Sequence, residues 1–234
     1  MSDSGADVKL YSAWYCPFAQ RTWVSLLLKG VQFEYVEVDP FAKPPELLAV
    51  NPYGQVPALT FKDQNIYESL VTMEFLEDAY PDSGRRLLPV DPVKRAHVRI
   101  WADYCSKKIV PLFYRLLKTR DTAKQEVARH DLLEHIRVII KAMNSLSEDG
   151  PFFAGDELGF ADLSVAPWVE RFYILKHHRG FEVPGSVNDK DGEYYRFHKW
   201  WEAVREVPDY KATCGERERL LQFYIEYANK NATD

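Results

Sequence analysis

Residues 8–21 read Val8-Lys9-Leu10-Tyr11-Ser12-Ala13-Trp14-Tyr15-Cys16-Pro17-Phe18-Ala19-Gln20-Arg21. The first four are short and alternating, the pattern of a strand. From Pro17 to Lys29 the spacing is helical, with Pro17 suited to the first helical position and Gly30 to the stop. Cys16 therefore falls at the helix N-cap or one residue before it. Unpaired backbone N–H groups and the positive end of the helix dipole converge there. Both favour a thiolate over a thiol. Position 19 is Ala, so there is no C-x-x-C dithiol, and a lone thiolate caught in a mixed disulfide needs an external thiol to release it. An arbitrary cysteine is more often a small buried apolar residue. The strand-to-helix setting before a proline separates Cys16 from Cys105 and Cys214, which lack it and read as inert.

Outward from this stretch, Val31 to Val38 alternates and carries Phe33, Tyr35, Val36 and Val38, a second strand. Val56 to Phe61 predicts a third. Lys62-Asp63-Gln64-Asn65 reads as a turn, and Ile66-Tyr67 opens a short fourth strand. Ser69 to Tyr80 is helical again. The order is β-α-β, a loop with a short helix, then β-β-α, a small α/β domain over residues 1–81. Residues 82–92 hold prolines and a glycine among charges and read as a linker. Residues 93–234 are all-helical in pattern: Val93 to Lys118 with a kink at Pro111, Ala123 to Leu146, Leu163 to Leu175 with Pro167 in its first turns, Tyr194 to Val204, and Glu216 to Ala228. Phe181 to Gly192 reads as a loop.

Composition narrows the chemistry. The chain has 234 residues, a formal net charge of −5 and no basic block, so nucleic acid is not expected as a partner. Three widely spaced cysteines do not make a disulfide framework and suit a reducing, cytoplasmic setting. The opening residues carry no basic and apolar leader pattern, and the final Lys-Asn-Ala-Thr-Asp matches no lipidation or retention signal. No apolar run near the front approaches the ~20 residues of a membrane span. His130 and His135 are five apart and do not share a helix face. No HExxH, paired-cysteine zinc pattern, G-x-S-x-G elbow or phosphate-binding glycine loop occurs, so neither metal nor nucleotide is expected.

Two further stretches suit a small peptide ligand. In Asn51-Pro52-Tyr53-Gly54-Gln55-Val56-Pro57 a cis Val56–Pro57 bond would leave the Val56 N–H and C=O at a strand edge, where a short extended peptide can add as a strand. The alternative is an ordinary loop with a trans proline, which base rates favour. In Tyr67-Glu68-Ser69, Ser69 reads as an N-cap whose helix offers free N–H groups to a carboxylate, while Glu68 can accept from an ammonium. Lys43, in Phe41-Ala42-Lys43-Pro44-Pro45-Glu46, is a solvated charge on local evidence alone.

Taken together, Cys-Pro-Phe-Ala-Gln-Arg, Asn-Pro-Tyr-Gly-Gln-Val-Pro-Ala-Leu, Ile-Tyr-Glu-Ser and the later Glu74-Phe75-Leu76-Glu77-Asp78-Ala79-Tyr80-Pro81 resemble the omega, or cysteine-type, class of glutathione transferases, with the plant lambda class a close second. The resemblance covers most of the chain and thins after about residue 180. It implies a thioredoxin-like N-terminal domain followed by an all-α domain, and glutathione as co-substrate. It implies that Cys16 forms a mixed disulfide with glutathione, that Phe18 lines the site, that Lys43 meets the glycine end, that the Val56 backbone pairs with the cysteinyl unit, and that Glu68 and Ser69 hold the γ-glutamyl end. It further implies an acceptor site between the domains, with Trp168 and Arg171 at matching positions. Trp14, Tyr15, Phe172 and Phe223 are further candidates, although an aromatic at helical spacing is more often core. One departure is Gly159-Phe160-Ala161-Asp162, where the family usually carries a Ser/Thr-x-x-Asp capping box. Gly caps nearly as well as Thr, so little loss is expected.

The implied activity is glutathione-dependent thiol transfer, including removal of glutathione from mixed disulfides and reduction of dehydroascorbate, in a homodimer. Lambda-like enzymes are monomers. The alternative is a non-enzymatic ligand-binding protein, or one like the chloride intracellular channel proteins, which share the Cys-Pro-Phe motif. The interrupted segment after Cys16 argues against insertion into a membrane.

Overall fold

The structure is a computed structural model and describes residues 7–147 and 149–229. Residues 1–6 and 230–234, read above for targeting signals, lie outside the described residues. The chain divides into two compact units. One comprises the residues up to Leu87 together with Ala212–Cys214; the other comprises Leu88–Lys211 and the residues from Gly215 onward.

The first unit contains β1 (Val8–Ser12), α1 (Pro17–Leu28), β2 (Glu34–Glu37), α2 (Pro45–Val50), β3 (Ala58–Phe61), β4 (Gln64–Tyr67) and α3 (Ser69–Ala79). The sheet order is β2-β1-β3-β4, with β1 and β2 parallel and the other pairs antiparallel. Period-2 alternation sorts the strand residues onto two faces. Val8 and Leu10 of β1 and Leu59 of β3 cluster with Leu26 of α1 and Leu76 of α3. Ala58 and Tyr11 cluster with Leu47 and Val50 of α2, and Cys16 packs against this second group. The result is the small α/β domain expected from the element order, with the thioredoxin-like layering that the resemblance implies.

Local chemistry shifts several boundaries. β2 begins at Glu34, because Gly30 (φ 62°) closes α1 and the Val31 N–H turns back to the Leu26 carbonyl at 3.0 Å. β3 begins at Ala58 rather than Val56, since Pro57 has no N–H for the ladder. The turn is shorter than expected: only Lys62 and Asp63 form it, both with positive φ (46° and 64°), as a two-residue hairpin with the strand twist requires.

The 82–92 stretch is tied down at its centre. Glu77 Oε2 accepts from the Leu87 N–H at 2.9 Å and from Lys29 Nζ at 3.2 Å, and Lys29 and Glu77 are both buried.

The second unit is helical: α4 (Pro92–Tyr104), α5 (Val110–Lys118), α6 (Thr122–Leu146), α7 (Phe160–Glu170), α8 (Phe172–Arg179), α9 (Tyr195–Glu206), α10 (Pro208–Lys211) and α11 (Arg217–Asn229). The expected kink at Pro111 is a π turn over Cys105–Ile109, which places Pro111 in the first turn of α5, where its missing N–H costs nothing. The single helix expected over Leu163 to Leu175 is two, broken at Arg171. α10 was not legible in the sequence. Among the described residues no helix is long and apolar enough to cross a membrane.

The half capping box before α7 works as a node. Gly159 is the N-cap, and Asp162 Oδ2 accepts from the Gly159 N–H at 2.9 Å. Asp162 Oδ1 accepts from the Phe153 N–H at 2.8 Å and from Trp200 Nε1 at 2.7 Å. One buried carboxylate thus joins the 152–159 loop, α7 and α9. Burial pushes its pKa up to about 6 against the pull of these donors.

Candidate functional site

Cys16 is the N-cap of α1, with extended backbone (φ −81°, ψ 116°) and Pro17 at the first helical position. Its carbonyl accepts the first helical bond, from the Gln20 N–H at 3.0 Å, and its own N–H donates to the Ala13 carbonyl at 2.8 Å. The preceding loop is pinned from β2. Glu37 Oε1 accepts from the Trp14 N–H at 3.1 Å, and Glu37 Oε2 accepts from the Tyr35 hydroxyl at 2.8 Å. Burial, above all, raises the Tyr35 pKa, with Glu37 and Cys16 adding to the rise. The Cys16 thiol is partly exposed, and its Sγ lies 3.8 Å from the Val56 carbonyl oxygen. Thiol and loop backbone therefore share one locus. The Val56–Pro57 bond is cis.

Other predicted residues gather through intermediaries. Arg21, buried on α1, donates from Nη1 to Ser69 Oγ at 3.0 Å, and its guanidinium carbon sits 5.4 Å from the centre of the Phe18 ring. The N-terminal ends of α1 and α3 are thereby joined, with Thr22 and Thr72 hydroxyls 2.6 Å apart further along the seam. Ser69 is not the N-cap expected: Glu68 holds that place and Ser69 is the first helical residue, its hydroxyl occupied by Arg21. Glu68 is exposed and has φ 72° and ψ 114°, a conformation costly for any residue with a Cβ and one that clusters at functional sites. Lys43 is exposed, yet its stem crosses the 53–55 turn. A Cβ on Gly54, itself at φ 64°, would meet Lys43 Cγ and Cδ at 3.1 Å. Gly54 is the residue that lets Lys43 lie beside the segment leading to Val56.

Two sequence-family profiles match the chain: "Glutathione S-transferase, N-terminal domain" over residues 15–79 and "Glutathione S-transferase, C-terminal domain" over residues 125–203. A "Probable glutathione S-transferase" of Nicotiana tabacum is 32% identical, with 94% of this chain and 93% of the relative aligned. The chain belongs to the glutathione S-transferase family. Among solved structures, glutathione transferase Omega 3C from Trametes versicolor is 36% identical with a TM-score of 0.82, covering 92% of this chain and 91% of that one. The Tau class glutathione S-transferase from mango, Mangifera indica, is 26% identical with a TM-score of 0.86, covering 95% and 99%.

In this transferase the candidate acceptor residues fall into two groups. Trp14 and Tyr15 flank the thiol on its own loop, edge to face at 5.6 Å, and Tyr15 stacks on Phe41 at 6.2 Å. In the helical unit Trp168 and Arg171 are 0% and 1% exposed, and Arg171 Nη1 donates to the Pro167 carbonyl at 2.6 Å. Both are enclosed within the helical unit, so neither lines the open surface expected of it. Phe172 and Phe223 are partly exposed; Phe172 stacks on Phe113 and Phe197, and Phe223 packs on Tyr224 and Tyr227. Sequence reasoning missed Glu37 and Arg21. A carboxylate at the end of a strand and an arginine five residues after the cysteine, beside the buried polar residues Gln20, Thr22 and Ser25, were the available signals. Among the described residues no group of His, Cys, Asp and Glu is placed to hold a metal ion.

Proposed function

We propose that this glutathione S-transferase is of the cysteine, omega-like type, and transfers thiols through a Cys16–glutathione mixed disulfide. The observation that carries the reading is the Cys16 sulfur at the first turn of α1, 3.8 Å from the Val56 carbonyl. A glutathione lying extended along the Val56 backbone brings its own sulfur to that thiol. The 36% identity to the Omega 3C enzyme supports the class.

Cys16 thiolate attacks the glutathione sulfur of a glutathionylated substrate. The old S–S bond breaks, the substrate leaves as a thiolate that takes up a proton, and Cys16 holds the glutathione. A second glutathione thiolate then attacks that sulfur, giving glutathione disulfide and restoring Cys16. Oxidised acceptors such as dehydroascorbate use the same thiol, with two glutathiones supplying the electrons. Lys43 meets the glycine carboxylate. The strained Glu68 accepts from the γ-glutamyl ammonium. Ser69, with the unused N–H groups of α3, meets the γ-glutamyl carboxylate. Phe18 supports that end through Arg21. Trp14 and Tyr15, on the loop that leads to Cys16, are the acceptor contacts of the first unit, and the partly exposed Phe172 and Phe223 are those of the helical unit. Three cysteines outside any disulfide suit work in the cytoplasm.

The test is turnover of a small glutathione mixed disulfide, with glutathione as reductant, by the wild type and by Cys16→Ser. Turnover in the wild type and its loss in the variant are expected, since a serine hydroxyl forms no disulfide. Equal rates in both would remove Cys16 from the mechanism.

A further inference from the structure

Asp39-Pro40-Phe41-Ala42 turns the chain after β2. The Ala42 N–H donates to the Asp39 carbonyl at 3.2 Å, which closes a β-turn, and Asp39 Oδ1 accepts from the Phe41 N–H at 2.9 Å. Asp at the first position and Pro at the second suit such a turn, since one side chain holds the backbone and the other presets φ. The turn carries Phe41 outward, where it is 66% exposed. One face of its ring has a partner. Tyr15 stacks on it with centroids 6.2 Å apart and planes 16° from parallel, and Trp14 meets Tyr15 edge to face at 5.6 Å. A phenylalanine exposed singly needs no explanation. This one extends a row of rings that starts on the loop ending at Cys16, and Trp14 and Tyr15 are themselves partly exposed. Both segments are held in place. Glu37 Oε1 accepts from the Trp14 N–H, and the Val38 N–H donates to the Ser12 carbonyl at 2.8 Å, so the turn and the thiol loop leave the sheet side by side.

We propose that Phe41 is a specificity-determining residue of the acceptor site, whose exposed ring packs against an aryl group on the departing thiol and favours glutathione mixed disulfides of aryl-bearing thiols. The inference rests on the cysteine-type reading above. In that reading Cys16 attacks the glutathione sulfur and the substrate sulfur departs, so the group on the departing sulfur lies beside the thiol loop and its row of rings. Rings pair in offset-stacked or edge-to-face contact at about 4.5–7 Å between centroids, and such pairs add to what apolar burial alone supplies. A saturated ring of the same size therefore gains less. Tyr15 already supports Phe41 from behind, so little side-chain freedom is lost when the acceptor arrives. Phe41 touches the departing group and not the reacting sulfurs. It sets which acceptor binds rather than how fast the disulfide exchanges.

The experiment compares the glutathione mixed disulfides of phenylmethanethiol and cyclohexylmethanethiol, with glutathione as reductant, in the full-length wild type, Phe41→Ala and Phe41→Tyr. Both departing sulfurs sit on a methylene group, so leaving ability, which follows thiol pKa, is matched. The ratio of kcat/KM for the aryl substrate to that for the saturated one is expected to fall about 2–12-fold in Phe41→Ala, the worth of one ring pair beyond its area. The fall is expected chiefly in KM, and Phe41→Tyr, which keeps the ring, is expected to keep the ratio. A purely structural role lowers both substrates together. A ratio that is the same in wild type and Phe41→Ala therefore overturns the role of Phe41 while leaving the proposed function intact. So does a Phe41→Ala variant that sediments at a lower mass than the wild type, which makes Phe41 a contact between copies of the chain. A wild type that turns over neither mixed disulfide removes the cysteine-type reading itself, and this inference with it.

Discussion

Replacing Asp162 by Ala should cost the helical unit about 3–5 kcal/mol, the range seen when a buried charged partner is removed from its network. The magnitude follows from three donors. The Phe153 N–H and Trp200 Nε1 are buried, and each loses its acceptor at roughly 1–3 kcal/mol. The Gly159 N–H is partly exposed and recovers water, so it adds little. Asp162→Asn keeps one acceptor oxygen and should lose distinctly less. The carboxylate also makes stability depend on pH. Its folded pKa, about 6, lies above the ordinary 3.8, so between those values the native state holds more protons than the unfolded one. Stability from this group therefore rises as pH falls from about 6 to about 4, by up to roughly 3 kcal/mol, and the penalty is fully present above pH 6. Urea unfolding of wild type, Asp162→Ala and Asp162→Asn, followed by tryptophan emission and far-UV circular dichroism from pH 4 to 8, reads both effects. An Ala variant within about 1 kcal/mol of wild type would contradict the node. So would an Asn variant that tracks wild type across the whole pH range.

Glu68→Ala should weaken glutathione binding by about 1.5–3 kcal/mol, the scale of a hydrogen bond to a charged group; titration calorimetry showing wild-type affinity would end its role as an ammonium acceptor. The chain is expected to be a homodimer, as the omega resemblance implies. Sedimentation at micromolar concentration should give about twice the 27.2 kDa chain mass, and a monomer mass would instead favour the lambda-like organisation.

The layering of the first unit was legible because strand alternation and helix punctuation are local. Val8, Leu10 and Tyr11 sort themselves between faces by period alone, and Pro17 and Gly30 bracket α1. Cys16 was legible for the same reason, since a cap position is set by its immediate neighbours. The cap of α3 was misread because a polar residue before a helical run usually caps; here Arg21, from another helix, claims the Ser69 hydroxyl and leaves Glu68 at the cap in a strained conformation. The break at Arg171 and the π turn at Cys105–Ile109 left no clear punctuation at the break itself. Asp162 was legible as half a capping box but not as a bridge to Trp200, 38 residues away. The approach of Cys214 to Gln20, across 194 residues, has no local signature.

Whether Cys16 is a thiolate at neutral pH tests the account most directly. The rate of iodoacetamide labelling at Cys16, read by peptide mass across a pH series, reports its ionisation. A free cysteine has a midpoint near 8.5, and a helix N-terminus can bring it to roughly 3.5–7.5. The account predicts a midpoint inside that lower range at Cys16. A midpoint at or above about 8.5 would contradict it.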